Sequence, residues 1–200
     1  MTDEYQALAF ETLGKPISYF QPRQHLPDSV TLDSPAIDVM TDLRQVTAVT
    51  ARMTMPIHEA LQRMRKRAVR LLLVTDLDDG TVYGLITARD IQGEKPVKLA
   101  QKLGYEPSQL VVRDLMTLKG RLEVLPYDAV LNAKVGNIVA SLRDSGRQHA
   151  LVVDADPDRD GVPAVRGIIS LAHIGRQMGL DLDTAERATT YAELEAALGE

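Results

Sequence analysis

Thr87, Arg89 and Asp90 are the residues whose types and spacing first point to chemistry. Gly84-Leu85-Ile86-Thr87 reads as the end of a strand, and Ala88-Arg89-Asp90 as the first turn of a helix. Unpaired N–H groups at a helix start attract phosphate. A carboxylate one helical turn later can face the same cleft, and it accepts two hydrogen bonds, which suits the paired hydroxyls of a ribose. Alone, Thr87 and Asp90 read first as a helix-start cap and a solvated acid; the repeat is what favours the ligand reading. Gly167-Ile168-Ile169-Ser170-Leu171-Ala172-His173 repeats the arrangement with His in place of the acid. A neutral imidazole offers one acceptor and no charge, so the paired hydroxyl contact is lost there.

Other chemistries lack their residues. The chain has no cysteine, which removes disulfides, thiolate metal sites and a thiol nucleophile. His25, His58, His149 and His173 are scattered, and none of the common phosphate-loop, dinucleotide, zinc-protease or serine-elbow motifs is present. No catalytic residue, metal site or required cofactor is expected. Asp156–Gly161 matches the first half of a calcium loop, but Gly167 stands where a bidentate Glu belongs and strands flank it. It is read as an acidic connection between strands. The basic run Arg63–Arg70 is read as the solvated face of a helix with Met64 inward.

The elements that position these residues occur twice. Asp38-Val39-Met40-Thr41 returns as Asp114-Leu115-Met116-Thr117, a step of 76. The helical stripe Ile57, Ala60, Leu61, Met64 returns as Val135, Ile138, Val139, Leu142, a step of 78. Leu72–Asp76 returns as Ala150–Asp154, and Gly84-Leu85-Ile86-Thr87 as Gly167-Ile168-Ile169-Ser170. Order is kept, and spacing changes only in loops. Each copy reads as β-α-β-β-α. It has a first strand (Val46–Val49; Leu122–Leu125), a helix with Thr54 or Asn132 as candidate N-cap, and an apolar strand buried on both faces. A turn follows (Asp78–Gly80; Asp154–Pro163), then a second strand and a helix. One such unit is too small to bury both faces of its sheet, so the two should pack as one pseudo-symmetric α/β (α+β) domain.

The boundaries expected are an N-terminal extension at 1–37, unit one at 38–92, a linker helix at 93–111, unit two at 112–178 and a tail at 179–200. The extension holds a short helix, Glu4–Leu13, then Pro16, Pro22, Pro27 and Pro35, and is expected to run extended over the core. In the linker, Pro96–Leu103 reads as a helix ended by Gly104. In the tail, Thr190-x-x-Glu193 reads as a capping box opening a helix.

Composition bounds the function. The 200 residues are 44% apolar and 26% charged, with net charge −5. That is ordinary for a globular chain and argues against a nucleic-acid binder, as does the scarcity of aromatics: six Tyr, two Phe and no Trp. No apolar run approaches the roughly 20 residues of a membrane span, and the N-terminus has no secretory pattern, so a cytoplasmic location is expected.

The repeated Met-Thr openings, the apolar strands ending at Asp76 and Asp154, and the Gly-x-x-Thr/Ser-x-x-Asp signature resemble the cystathionine-β-synthase (CBS) domain over residues 36–178. A tandem pair resembles a Bateman module. The resemblance implies two β-α-β-β-α units with their sheets back to back and two pseudo-symmetric clefts. It also implies a regulatory protein, not an enzyme, that senses an adenine nucleotide (AMP, ADP, ATP) or S-adenosylmethionine. Such a protein would be a homodimer and act on an unidentified protein target; a ligand-free homodimeric scaffold is the alternative. By position, the first cleft would take Thr87, Arg89, Asp90, Thr117, Leu122, Arg147, Gln148 and His149. Thr87 and Asp90 would hold phosphate and ribose. A weaker second cleft would take Thr41, Val46, Val69, Arg70, Ser170 and His173, the last useful to an anion only if protonated.

Overall fold

Residues 23–76 and 79–179 are described by the computed structural model. The expected helix Glu4–Leu13, with Pro16 and Pro22, the turn residue Asp78 and the Thr190–Glu193 capping box lie outside them. Two four-stranded sheets organise the described residues. The second sheet runs β1 (Met40–Asp42), β8 (Val162–Ser170), β7 (His149–Asp156), β6 (Val124–Pro126). The first runs β2 (Thr50–Ala51), β3 (Leu71–Thr75), β4 (Val82–Thr87), β5 (Thr117–Leu118). In each, a short strand pairs in parallel with the apolar strand, which then forms an antiparallel hairpin.

The helices cover the outer faces. On the first sheet lie α1 (Ile57–Lys66), α2 (Ala88–Gln92), α3 (Lys95–Leu103) and α4 (Val112–Leu115). On the second lie α5 (Tyr127–Leu131), α6 (Val135–Asp144) and α7 (Leu171–Gln177). The predicted stripes face inward: Ile57, Ala60 and Met64 on α1 and Val135, Ile138, Val139 and Leu142 on α6 are buried, with Leu61 partly so. All five residues of β3 are buried. Leu72 and Val74 pack among the helices of the first unit, while Leu71 and Leu73 meet Leu151 of the second in a separate cluster between the sheets. A period of two thus explains an unbroken apolar run: each face of β3 has its own partner. Each fully buried leucine contributes about 1.5–3 kcal/mol, so β3 holds its helices and the opposite sheet at once.

Several local expectations are corrected. The first strand is not Val46–Val49, because Val46 N–H closes a turn on Asp42 C=O, and the ladder begins where Leu73 N–H meets Val49 C=O. Likewise a 3-10 turn at Lys119–Arg121 delays the strand expected at Leu122, and β6 starts at Val124. Neither Thr54 nor Asn132 is an N-cap: Pro56 precedes α1 with no side-chain cap, and Asn132 closes α5 by donating to Asp128 C=O at 2.8 Å. The Asp154–Pro163 turn is shorter than expected, since β7 reaches Asp156 and β8 starts at Val162. The linker helix ends at Gly104, whose φ of +69° is the left-handed conformation that stops a helix.

The two units exchange their opening strands. β1, which opens copy one, pairs with β8 of copy two; β5, which opens copy two, pairs with β4 of copy one. The repeated glycines permit this. A Cβ at Gly84 would overlap the carbonyl oxygen of Thr117, and one at Gly167 would overlap the Met40 side chain. The repeated Met-Thr of one copy therefore crosses over the repeated Gly of the other. Arg166 locks the second crossing: its Nε and Nη2 each donate to the buried Asp42 carboxylate at 2.8 Å, and its guanidinium lies 4.8 Å above the Tyr127 ring. Residues 23–39 continue β1 across the second unit. Val30 is buried there, and Gln24 bonds both Met40 C=O and Asp42 N–H at 2.8 Å.

Candidate functional site

Each repeat brings the same three places to the boundary between the units. These are the turn before the apolar strand, the end of the hairpin strand, and the first turns of the following helix. In copy one they are Ala68–Leu71, Thr87, and Arg89 with Gln92; in copy two they are Gln148 with His149, Ser170, and Ala172 with His173 and Arg176. The local hydrogen bonding is the same in both: Ala88 N–H meets Arg70 C=O and Leu171 N–H meets Gln148 C=O, each at 2.9 Å. Together these places line one cavity of about 980 Å³, in the size range of small-molecule sites, about 300–1,000 Å³.

Residues expected in two separate clefts therefore share one space. Thr87, Arg89, Gln148 and His149 line it alongside Thr41, Val69, Arg70, Ser170 and His173. Asp90, Thr117, Leu122, Arg147 and Val46 do not. Thr117 sits opposite Leu85 in the sheet, Leu122 packs into the cluster between the sheets, and Arg147 is drawn to Glu123 at 2.6 Å. Val46 belongs to the turn after β1.

Asp90 is occupied by local structure. Its Oδ2 accepts from Thr87 N–H at 3.0 Å and from the Thr87 hydroxyl at 2.7 Å, and its Oδ1 accepts from Lys95 at 3.0 Å. Thr87 and Asp90 thus form a capping box on α2, a helix of five residues. In copy two, His173 replaces the acid, and Ser170 makes no side-chain cap. The signature read as a phosphate and ribose clamp is first a device that fixes the strand-to-helix corner where Thr87 and Arg89 meet the cavity.

The electrostatics are one-sided. Arg65, Arg70, Arg89 and Arg176 line the cavity, and among the described residues no Asp or Glu does. His149 is pushed down to about 4 by burial and by the neighbouring Arg70 cation, and His173 is lowered by burial and by Arg176. Both imidazoles are neutral at neutral pH, so the idea of a protonated His173 gripping an anion is not supported. Its Nε2 is buried without a hydrogen-bond partner among the described residues. Arg65 and Arg176 were not singled out in the sequence. The sequence places Arg65 on a solvated basic face with Met64 inward; Met64 is buried as expected, and Arg65 borders the cavity. Arg176, one turn beyond His173, follows from the register of α7 once Ser170 is placed.

The CBS-domain family model matches residues 30–94. No curated protein matches the chain. An uncharacterized conserved protein from Pyrococcus horikoshii is similar in fold, with 20% identity and a TM-score of 0.53, over 76% of this chain and 98% of that one. A CBS-domain containing protein from Agrobacterium tumefaciens is similar with 21% identity and a TM-score of 0.51, over 80% of this chain and 98% of that one. The family match covers the first unit, and the second unit repeats its order of strands. Residues 30–94 match the CBS-domain family, and the fold is similar to that of a solved CBS-domain containing protein.

Proposed function

We propose that this CBS pair is a regulatory ligand sensor that binds an adenine nucleotide in the cavity between its two units. The observation that carries the reading is the cavity itself: nucleotide-sized, lined by both units, and ringed by four arginines in a chain of net charge −5. Arginine forks suit phosphate oxygens. Leu61, Met64, Val69 and Ile168 supply apolar wall for a base, and Thr87, Gln148, His149 and Ser170 supply hydrogen-bonding groups. The adenine preference comes from the family resemblance. Asp90 enters as a positioning residue for Thr87 rather than as a ribose ligand. His149 is poorly suited to act as a general base, because a group with a pKa near 4 accepts protons poorly at neutral pH.

A thermal-shift panel of AMP, ADP, ATP, S-adenosylmethionine and GTP tests this reading. A ligand at about 100 times its dissociation constant adds about 2.7 kcal/mol, a rise of a few degrees for this size. Stabilisation by adenine compounds and not by GTP is the expected result. No shift from any of them, with titration calorimetry also silent, moves the reading to a ligand-free scaffold.

A further inference from the structure

The charge of the cavity separates two ligand classes that share an adenosine. Arg65 lies on α1, Arg70 on the turn after it, Arg89 on α2 and Arg176 on α7 of the other unit. Neither Arg65 nor Arg89 has an ion-pair partner among the described residues, and Arg176 makes only a 3.4 Å contact with His173 Nδ1. A sulfonium cation is stabilised by a nearby carboxylate or the face of an aromatic ring. Among the described residues the lining has no carboxylate and no Phe, Tyr or Trp. Asp90, the acid closest in sequence, is held by Lys95 and by the Thr87 cap. A polyphosphate has the opposite need. Each added phosphate brings negative charge and oxygens that guanidinium forks such as those of Arg65, Arg89 and Arg176 can pair.

We propose that the cavity selects its nucleotide by phosphate charge: a single polyphosphate nucleotide spans both units, contacting Arg89 of the first and Arg176 of the second, and sulfonium nucleosides are rejected. The inference rests on the nucleotide reading above and deepens it. It also gives a physical route to regulation. A ligand gripped from both sides favours the arrangement that brings Arg89 and Arg176 to it, and only such a difference in affinity between arrangements shifts their populations.

Titration calorimetry at fixed ionic strength tests it, using adenosine, AMP, ADP, ATP, S-adenosylmethionine and inorganic tripolyphosphate. The full chain is compared with Arg89→Ala, Arg176→Ala and Arg176→Lys. Both arginines are exposed, so the variants should stay folded, which circular dichroism and melting check. Affinity is expected to rise at least about tenfold from AMP to ATP, with S-adenosylmethionine silent. Each alanine variant should weaken ATP by about tenfold, the loss of one charge-assisted hydrogen bond, and Arg176→Lys should fall between. Equal affinity for AMP and ATP, or S-adenosylmethionine binding as tightly as ATP, overturns selection by charge while leaving nucleotide binding in place. ATP affinity unchanged in Arg176→Ala overturns the two-sided grip. Tripolyphosphate binding while no adenine compound does overturns the nucleotide reading itself.

Discussion

His149 shows how placement decides what a residue can do. The sequence offers it as one of the residues of the first cleft. At the end of β7, beside Arg70, burial and a like charge keep it neutral. The consequence is measurable. Its folded pKa of about 4 lies below the ordinary value of 6.5, so between those pH values the unfolded chain binds the extra proton. Stability should therefore fall as the pH drops from 6.5 toward 4, with His173 acting in the same direction. Urea denaturation at pH 7 and pH 5 should show a smaller acid-dependent loss in His149→Gln than in the unmodified chain. Identical losses would contradict the assignment. Thr87 and Asp90 were legible as a pair, and both of their readings were open from sequence. Only the hydrogen bonds show that Asp90 is turned onto the Thr87 cap and Lys95 and away from the cavity lining.

At the scale of elements, the stripes of α1 and α6 and the apolar strands were readable, because each obeys a local period that burial enforces. The short first strands were not. β2 has two residues and β6 three, too few to show an alternation, and their limits are set by ladder partners far along the chain. The same holds for the repeated Met-Thr and Gly, visible as a repeat but unexplained until the strands are seen to cross. That crossing makes a prediction. Gly84→Ala places a methyl group against the Thr117 carbonyl, a backbone atom that cannot swing aside, while Gly167→Ala meets the flexible Met40 side chain. Overpacking costs about 1–3 kcal/mol, so Gly84→Ala should lose at least that much in urea unfolding and Gly167→Ala less. Equal, negligible losses would show that the strands separate more easily than the packing indicates.

Across the whole molecule, the pseudo-symmetry followed from the repeat and the back-to-back sheets from the family resemblance, and the third cluster between the sheets bears that arrangement out. The exchange of opening strands did not follow, since a repeat alone does not say which copy's sheet a strand joins. It matters for function. With β1 in the second sheet and β5 in the first, neither unit is complete without the other's strand, and the cavity forms at the boundary they share. That also explains why residues assigned to two clefts by position meet in one. Two local patterns were matched to two sites, whereas the boundary brings both sets of turns to a single space. A ligand in that cavity would touch both halves of the repeat at once. Among the described residues, no helix is long and apolar enough to cross a membrane.

Hydrogen–deuterium exchange with and without saturating ATP tests most directly whether an adenine nucleotide sits between the units. Slowed exchange is expected in both repeats together, at residues 68–71 and 87–93 in one and at residues 146–149 and 170–176 in the other, with the β7–β8 hairpin tip at 157–161 unchanged. Protection confined to one repeat, or absent from both while ATP is bound, would contradict a shared site.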